Sequence, residues 1–410
     1  MQEWWKRYGQ FITDEDKAIL TLVRDFTENE IMPVRKELDE DENRAIINHI
    51  MQGLVKLGMQ KRVFPEKMGG LGIRSAITFC TIHEEMSRGD SGIAMVSVIP
   101  SWVFSPAIQV RNEFILQTLG APFCRDEYHG ACMGLTEPEG GCNVEAVDPN
   151  VRQIGTTARL EGDEWVITGT KRWPSEAGVA DVYLIVCTTD PEHQSDEGIA
   201  LIYVPAGTPG LSFGKPENKM GMRYTDINAD IYLDEVRVPK EYRVADSGED
   251  YRLLRNILSW GRLVSAPNAL GNAQAVFESV VDYTGHRFYA GKQVREHSLQ
   301  AGIIADMAIG IESARAYYLM VASMFDDRKL YGEHSSDFLL AKASAAKIYA
   351  TDVTIKVCNM AMELMGSYGY SKDFQVEKYL RDSKIIQLWA GGSNAGRIDV
   401  ARGYYPISEA

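Results

Sequence analysis

The chain has 410 residues, 45% apolar and 24% charged. That is enough apolar material for a large core or two to three domains, and it excludes a disordered polymer. A formal charge of -14 argues against nucleic acid and anionic membranes as main partners, because both are bound through basic surfaces.

In chain order, residues 14–60 predict helix. Thr13 can cap the first turn, with Asp14, Glu15 and Asp16 at its positive end. Ile19, Leu22, Val23 and Phe26 fall on one face at helical spacing. Pro33 interrupts, and 34–42 predicts a second helical stretch. PEKMGGLG (65–72) is a turn-rich loop. Helical pattern returns over 76–86 and again after Pro106. Near Ala131 the period changes: 165–169, 182–186, 200–204 and 231–233 are rich in strand formers. From Leu253 helical spacing resumes, with Ile304, Met307, Ala308 and Ile311 on one face. Three or four long antiparallel helices are expected there.

The N-terminus has no apolar core of signal-peptide length, and no apolar run approaches the about 18 residues of a membrane span. Six cysteines form no CxxC pair and seven histidines form no HExxH. These features predict reduced thiols, a cytoplasmic protein and no metal site. No GxGxxG follows a strand, and no phosphate loop or GxSxG elbow occurs. MGLTEPEGGCN (133–143) reads as a strand end opening into a Gly-rich turn. Its backbone amides and Thr136 either hold a ring edge or an anion closely, or form an ordinary tight turn. In ITGTKRWPSEAGVA (167–180), Trp173 is either a platform for a flat ring or a packing residue.

The stretch MELMGSYGYSKDFQVEKYLRDSKIIQLWAGGSNAGR (362–397) resembles the C-terminal signature of the acyl-CoA dehydrogenase family. The two turns above resemble that family's flavin-contacting segments, so the resemblance spans essentially the whole chain. It implies an α+β fold: an N-terminal helical domain (1–130), a middle β domain meeting the flavin (131–240) and a C-terminal four-helix bundle (241–410). It also implies FAD as cofactor and an acyl-CoA substrate. Leu135, Thr136 and Gly141 would meet the flavin ring. Cys142 stands where a serine holds flavin and pantetheine. Trp173 would cover the ring and Ser175 would bond its N5. Arg262 would orient the CoA or acyl portion, with Tyr370 near the substrate. Arg287 matches a contact to the FAD nucleotide, and Gly392 and Asn394 stand where Thr and Gln make another. The Arg287 contact crosses a subunit interface, which implies a homotetramer. Electrons would pass to an electron-transferring flavoprotein.

In most of that family a glutamate base follows the aromatic residue after the Lys-Ile-x-Gln run; here Ala390 follows Trp389. The alternative glutamate position, just before Arg262, is Gly261. Three expectations follow. The base has moved, with Asp90 the first candidate (as in relatives acting on alicyclic acyl-CoA esters) and Glu139 and Tyr370 behind it; or Asp90 only caps the next helix. Alternatively, a desulfinase-type reaction needs no such base, and Arg88 holds an anionic acyl end, unless Arg88 merely pairs with Glu84. In the third reading the chain binds acyl-CoA without catalysis.

Overall fold

The computed structural model describes residues 3–146, 148–405 and 407. Among the described residues, the N-terminal region contributes four α-helices longer than two turns: α1 Asp14–Phe26, α2 Ala45–Lys56, α3 Ala76–Gly89 and α4 Ser91–Gln109. Thr13 and Asp16 close a reciprocal capping box on α1, with Asp16 N donating to Thr13 Oγ1 at 3.1 Å and Thr13 N to Asp16 Oδ2 at 2.9 Å. The buried apolar face of α1 is carried by Leu20 and Val23, whereas Leu22 is 59% exposed. The predicted apolar set is thus wider than the strip α3 covers. The expected helix over 34–42 is replaced by two short 3-10 turns, Met32–Val34 and Glu37–Asp39. Pro33 lacks the amide that a continuing α-helix needs.

The element least legible in advance is α4. It runs unbroken through Pro100 and Pro106, and its buried residues face every direction. It is long and apolar enough to cross a membrane, but α3, the long helix at Glu249–His286 and the first strand pack around it. An interior proline costs about 3 kcal/mol in an isolated helix. Burial on all sides outweighs that cost here.

A seven-stranded sheet follows: β1 Ala131–Gly134, β2 Thr157–Glu161, β3 Glu164–Lys171, β4 Val182–Thr188, β5 Ile199–Pro205, β6 Leu211–Phe213 and β7 Ile231–Pro239. The order is β1-β4-β2-β3-β7-β6, with β5 on β4. β1 runs parallel to β4, pairing Ala131 with Val182. β3 pairs antiparallel with β7 through a bulge between Ile167 and Gly169. A Cβ on Gly169 would stand 2.5 Å from the Thr156 side chain, so only glycine fits where this bulge crowds β2.

Among the described residues, five long helices follow: α5 Glu249–His286, α6 Ser298–Asp326, α7 Asp337–Met365, α8 Val376–Leu388 and α9 Gly392–Arg402, with one-turn helices at Arg328–Tyr331 and Ser367–Tyr370 between them. α5, α6 and α7 pack side by side, and α8 and α9 lie on α7. The N-terminal helices, the sheet and the C-terminal helices are thus the layers that the sequence predicts.

Buried charges join these layers. Lys378 on α8 faces Asp382 at 2.8 Å, Asp39 at 3.0 Å and Asp90 at 3.1 Å. Arg35 reaches Asp382 at 3.3 Å, and Met222 N, ahead of β7, donates to Asp382 Oδ1 at 3.1 Å. Asp382→Ala would leave Lys378 and Arg35 buried against fewer carboxylates, an uncompensated charge that costs about 3–5 kcal/mol. Urea unfolding should show a loss of that size. A loss below 1 kcal/mol would mean that the network does not hold α8.

Candidate active site

A cleft of about 480 Å³ lies between the sheet and the C-terminal helices, walled also by α4. Three turns build it. The first follows β1. Glu137 accepts from Gly155 N at 2.7 Å, Thr156 N at 2.9 Å and Lys171 Nζ at 2.6 Å. Burial works to raise the Glu137 pKa, but Lys171 and the hydrogen bonds outweigh it and hold the carboxyl below its ordinary range. The anchored turn lays Leu135, Thr136 and Gly141 along the cleft.

The second turn follows β3. Trp173 takes a left-handed φ of +62°, and Asn228 Nδ2 holds its carbonyl at 2.7 Å. Its ring is 43% exposed and lies in the cleft wall beside Ser175. Trp173 is therefore not a packing residue. The Ser175 side chain bonds Asp226, a buried carboxylate that also lines the cleft. Burial raises the Asp226 pKa, and Asp226 Oδ1 has no hydrogen-bond partner among the described residues.

The third turn is the break after α8. Trp389 Nε1 donates to Ser265 Oγ at 2.8 Å. Ala390, Gly391 and Gly392 then take φ of +48°, +81° and +63° in succession, a run that L residues avoid. The Lys347 ammonium stitches the run together, donating to the Trp389 carbonyl and, at 3.4 Å, to that of Ala390. Burial, reinforced by nearby Arg262, pulls the Lys347 pKa down to about 7. Ala390, Gly391 and Gly261 line the cleft together. A Cβ on Gly261 would meet nothing within 4 Å. This end of the cleft is therefore floored by two glycines and an alanine.

Arg262 lies fully buried behind that floor. Its guanidinium would stand 2.9 Å from a Cβ on Gly391. Nη2 contacts Glu145 Oε1 at 2.7 Å and Asp399 Oδ2 at 3.3 Å. Glu145 belongs to the same loop as Gly141 and keeps 20% of its side-chain surface exposed. Glu145, Asp226 and Lys347 were not singled out from the sequence. Nothing in the order of residues says which acidic group meets which cation across 117 positions of chain.

Several expected residues lie elsewhere. Asp90 is fully buried and caps α4, accepting from Gly92 N at 2.9 Å and Ile93 N at 3.1 Å, with Lys378 on its other side. It is a helix cap, not a cleft carboxylate. Arg88 is held by Glu85 at 2.8 Å, Glu278 at 2.9 Å and Glu28. It pairs with these groups and not with Glu84, which instead binds Arg315. Cys142 sits beside the cleft with Sγ 3.5 Å from the Leu135 carbonyl, and burial pushes its thiol up to about 12. Tyr370 is 80% exposed and Glu139 is exposed, neither of them in the cleft wall. Arg287 lies exposed at the end of α5, over the Tyr368 ring at 5.9 Å. Gly392 and Asn394 line a neighbouring hollow of about 320 Å³ that shares Leu388 and Gly391 with the cleft.

The Lys347 pKa gives a pH signature. Folding depresses it from 10.5 to about 7, so between those values the unfolded chain binds more protons and stability rises with pH. The full penalty is present below pH of about 7. The difference in unfolding free energy between the wild type and Lys347→Met should therefore vary across that window and level off below it. A difference independent of pH would contradict a depressed Lys347.

Models of the acyl-CoA dehydrogenase N-terminal, middle and C-terminal domains match residues 13–111, 132–236 and 251–405. A short-chain-specific acyl-CoA dehydrogenase of Clostridium acetobutylicum is 31% identical over 392 residues, covering 95% of this chain and 98% of that one. A cyclohex-1-ene-1-carbonyl-CoA dehydrogenase of Geobacter metallireducens is 30% identical over 396 residues, with coverage of 95% and 98%. Among solved structures, a chain described with the electron transferring flavoprotein of Acidaminococcus fermentans superposes with a TM-score of 0.85. It is 28% identical, covering 97% of this chain and 99% of that one.

Proposed function

From a chain that belongs to the acyl-CoA dehydrogenase family and is an acyl-CoA dehydrogenase-like oxidoreductase, we propose FAD-dependent α,β-dehydrogenation of an acyl-CoA thioester, with the base relocated to Glu145. One observation carries this reading. The wall bearing Trp173, Thr136 and Ser175 and the small-residue floor of Ala390, Gly391 and Gly261 enclose a single cleft. The first wall suits a flat, polar-edged ring: an exposed indole, two hydroxyls and a buried carboxylate oxygen still lacking a partner. Thr136, Trp173 and Ser175 would hold the isoalloxazine there, and the hollow at Gly392 and Asn394 would take the nucleotide portion. Flavin bound in this way supplies hydride acceptance.

The chain's own residues handle the proton. Removing an α-proton next to a thioester needs a carboxylate within reach, and the floor offers none. Glu145 lies one guanidinium away from Gly391. Arg262 orients it, and Asp399 remains beside Arg262 when Glu145 swings into the cleft, so no buried charge is stranded. Asp226 is the weaker candidate because it belongs to the Ser175 side, where the ring would lie. The open space at Gly261 and Ala390 supports a broad acyl group, and the likeness to an alicyclic acyl-CoA dehydrogenase points the same way. An electron-transferring flavoprotein as electron acceptor and a homotetrameric assembly complete the reading. The desulfinase alternative loses its support, because Arg88 is already engaged by three carboxylates.

The test is a panel of straight-chain and alicyclic acyl-CoAs, read by loss of flavin absorbance. Glu145→Gln should bind flavin but lower the bleaching rate by ~10²–10⁴-fold, and Ala390→Glu in that background should restore part of it. Asp90→Asn should leave bleaching in place. Unchanged bleaching in Glu145→Gln would remove Glu145 from the role.

A further inference from the structure

A second cavity of about 310 Å³ lies behind the cleft, between α3, α4, α5 and the end of α6. Trp102 and Ile257 line both spaces, so the two are neighbours across these side chains. Aromatic rings (Phe79, Trp102, Trp260 and Phe325) share the walls with aliphatic and polar side chains. Phe79 and Phe325 meet the Trp260 ring edge to face at 5.7 and 5.4 Å.

Most polar groups in this cavity are already satisfied. Trp260 Nε1 donates to His334 Nδ1 at 3.0 Å, and His334 Nε2 donates to the Phe325 carbonyl at 2.8 Å. These two bonds fix a neutral imidazole, and burial lowers its pKa further. Asp326 caps α3 by accepting from Ser75 Oγ at 3.0 Å and from the amide of Ala76. Gln109 accepts from Asn256 at 2.7 Å, and Ser105 donates to the Trp102 carbonyl at 3.2 Å. Arg74 donates to the Val63 carbonyl and Arg328 pairs with Glu333.

Two groups stand apart. Ser101 is 3% exposed and lines this cavity, and its hydroxyl has no partner among the described residues. The Trp102 indole N–H, on the next residue of α4, is likewise buried and unpaired. Buried donors left unpaired are costly and therefore rare. An indole N–H can only donate, so the missing partner is an acceptor. Arg74 and Arg328, the arginines lining the cavity, already have their own partners, so a buried ionised group would find no free counter-charge there.

We infer that this cavity is a distal acyl subsite, entered past Trp102 and Ile257, for a chain whose far end carries an uncharged acceptor oxygen such as a hydroxyl or a carbonyl. The inference rests on the dehydrogenase reading of the cleft and adds the substrate class. Chains too short to pass Trp102 gain nothing from the oxygen.

The experiment uses the flavin-loaded protein and pairs of acyl-CoAs matched in length, with a hydrogen, a hydroxyl or a carboxylate at the far end. From the length that passes Trp102, the hydroxyl member should exceed its plain partner roughly three- to tenfold in kcat/KM, the range of one net hydrogen bond. Ser101→Ala, checked for folding by circular dichroism, should abolish that ratio. Calorimetric binding of the same pairs reads the subsite even where nothing bleaches, so a failed dehydrogenation and a failed subsite give different results. Equal values for plain and hydroxylated chains in both assays would overturn the proposal, as would a carboxylate that outperforms the hydroxyl.

Discussion

The ammonium of Lys378 is the contact on which the rest of the site depends. It lies buried among Asp382, one turn along the same helix, and Asp90 and Asp39 from distant parts of the chain. Arg35 supplies a second cation, and the amide of Met222 brings the strand region in. No apolar replacement is available to one member alone, because removing any of them leaves opposite charge in a low-dielectric interior. This network fixes the axial position of α8, and α8 in turn delivers Trp389 and Ala390 to the cleft. The charged run that makes 376–382 recognisable therefore does structural work, and Asp90 is part of it.

From that fixed end the site is built of backbone turns. Three left-handed residues follow α8, Trp173 is left-handed in the facing turn, and Cys142 and Asn143 are left-handed in the first. Each turn is locked from behind by a buried ion: Lys347 at the break, Lys171 with Glu137 below the Gly-rich loop, and Arg44 with Glu176 at 2.7 Å beside the tryptophan turn. Charge kept behind the walls leaves the cleft surface largely apolar, aromatic and hydroxylic. Glu145, on the adjoining loop, is held by the arginine that the floor covers.

The strands were legible because their signal is local. β-branched and aromatic runs between glycine and proline turns fall where β3, β4, β5 and β7 form. The Gly-rich loop and the tryptophan turn were legible as candidate binding elements for the same reason. The rest depended on partners far away in sequence. Helical pattern was expected over 76–86 and again only after Pro106, yet α4 passes through both Pro100 and Pro106 because its neighbours bury it on all sides. Leu22 has the right spacing for a core face, but no element covers it.

The amino-acid order by itself therefore determined the layers, the Gly-rich loop and the tryptophan turn, because period and turn chemistry act within a dozen or so residues. The family came from resemblance along the whole chain, not from local spacing. Only the tertiary structure decided the partners of the charges. Asp90 and Arg88 proved to be bound in buried networks, while Asp226 lines the cleft and Glu145 pairs with Arg262 behind it, neither signalled by the sequence. The reason is physical: the pairing of a buried ion is set by what the fold desolvates around it, and that is a property of three-dimensional packing, not of the neighbouring sequence.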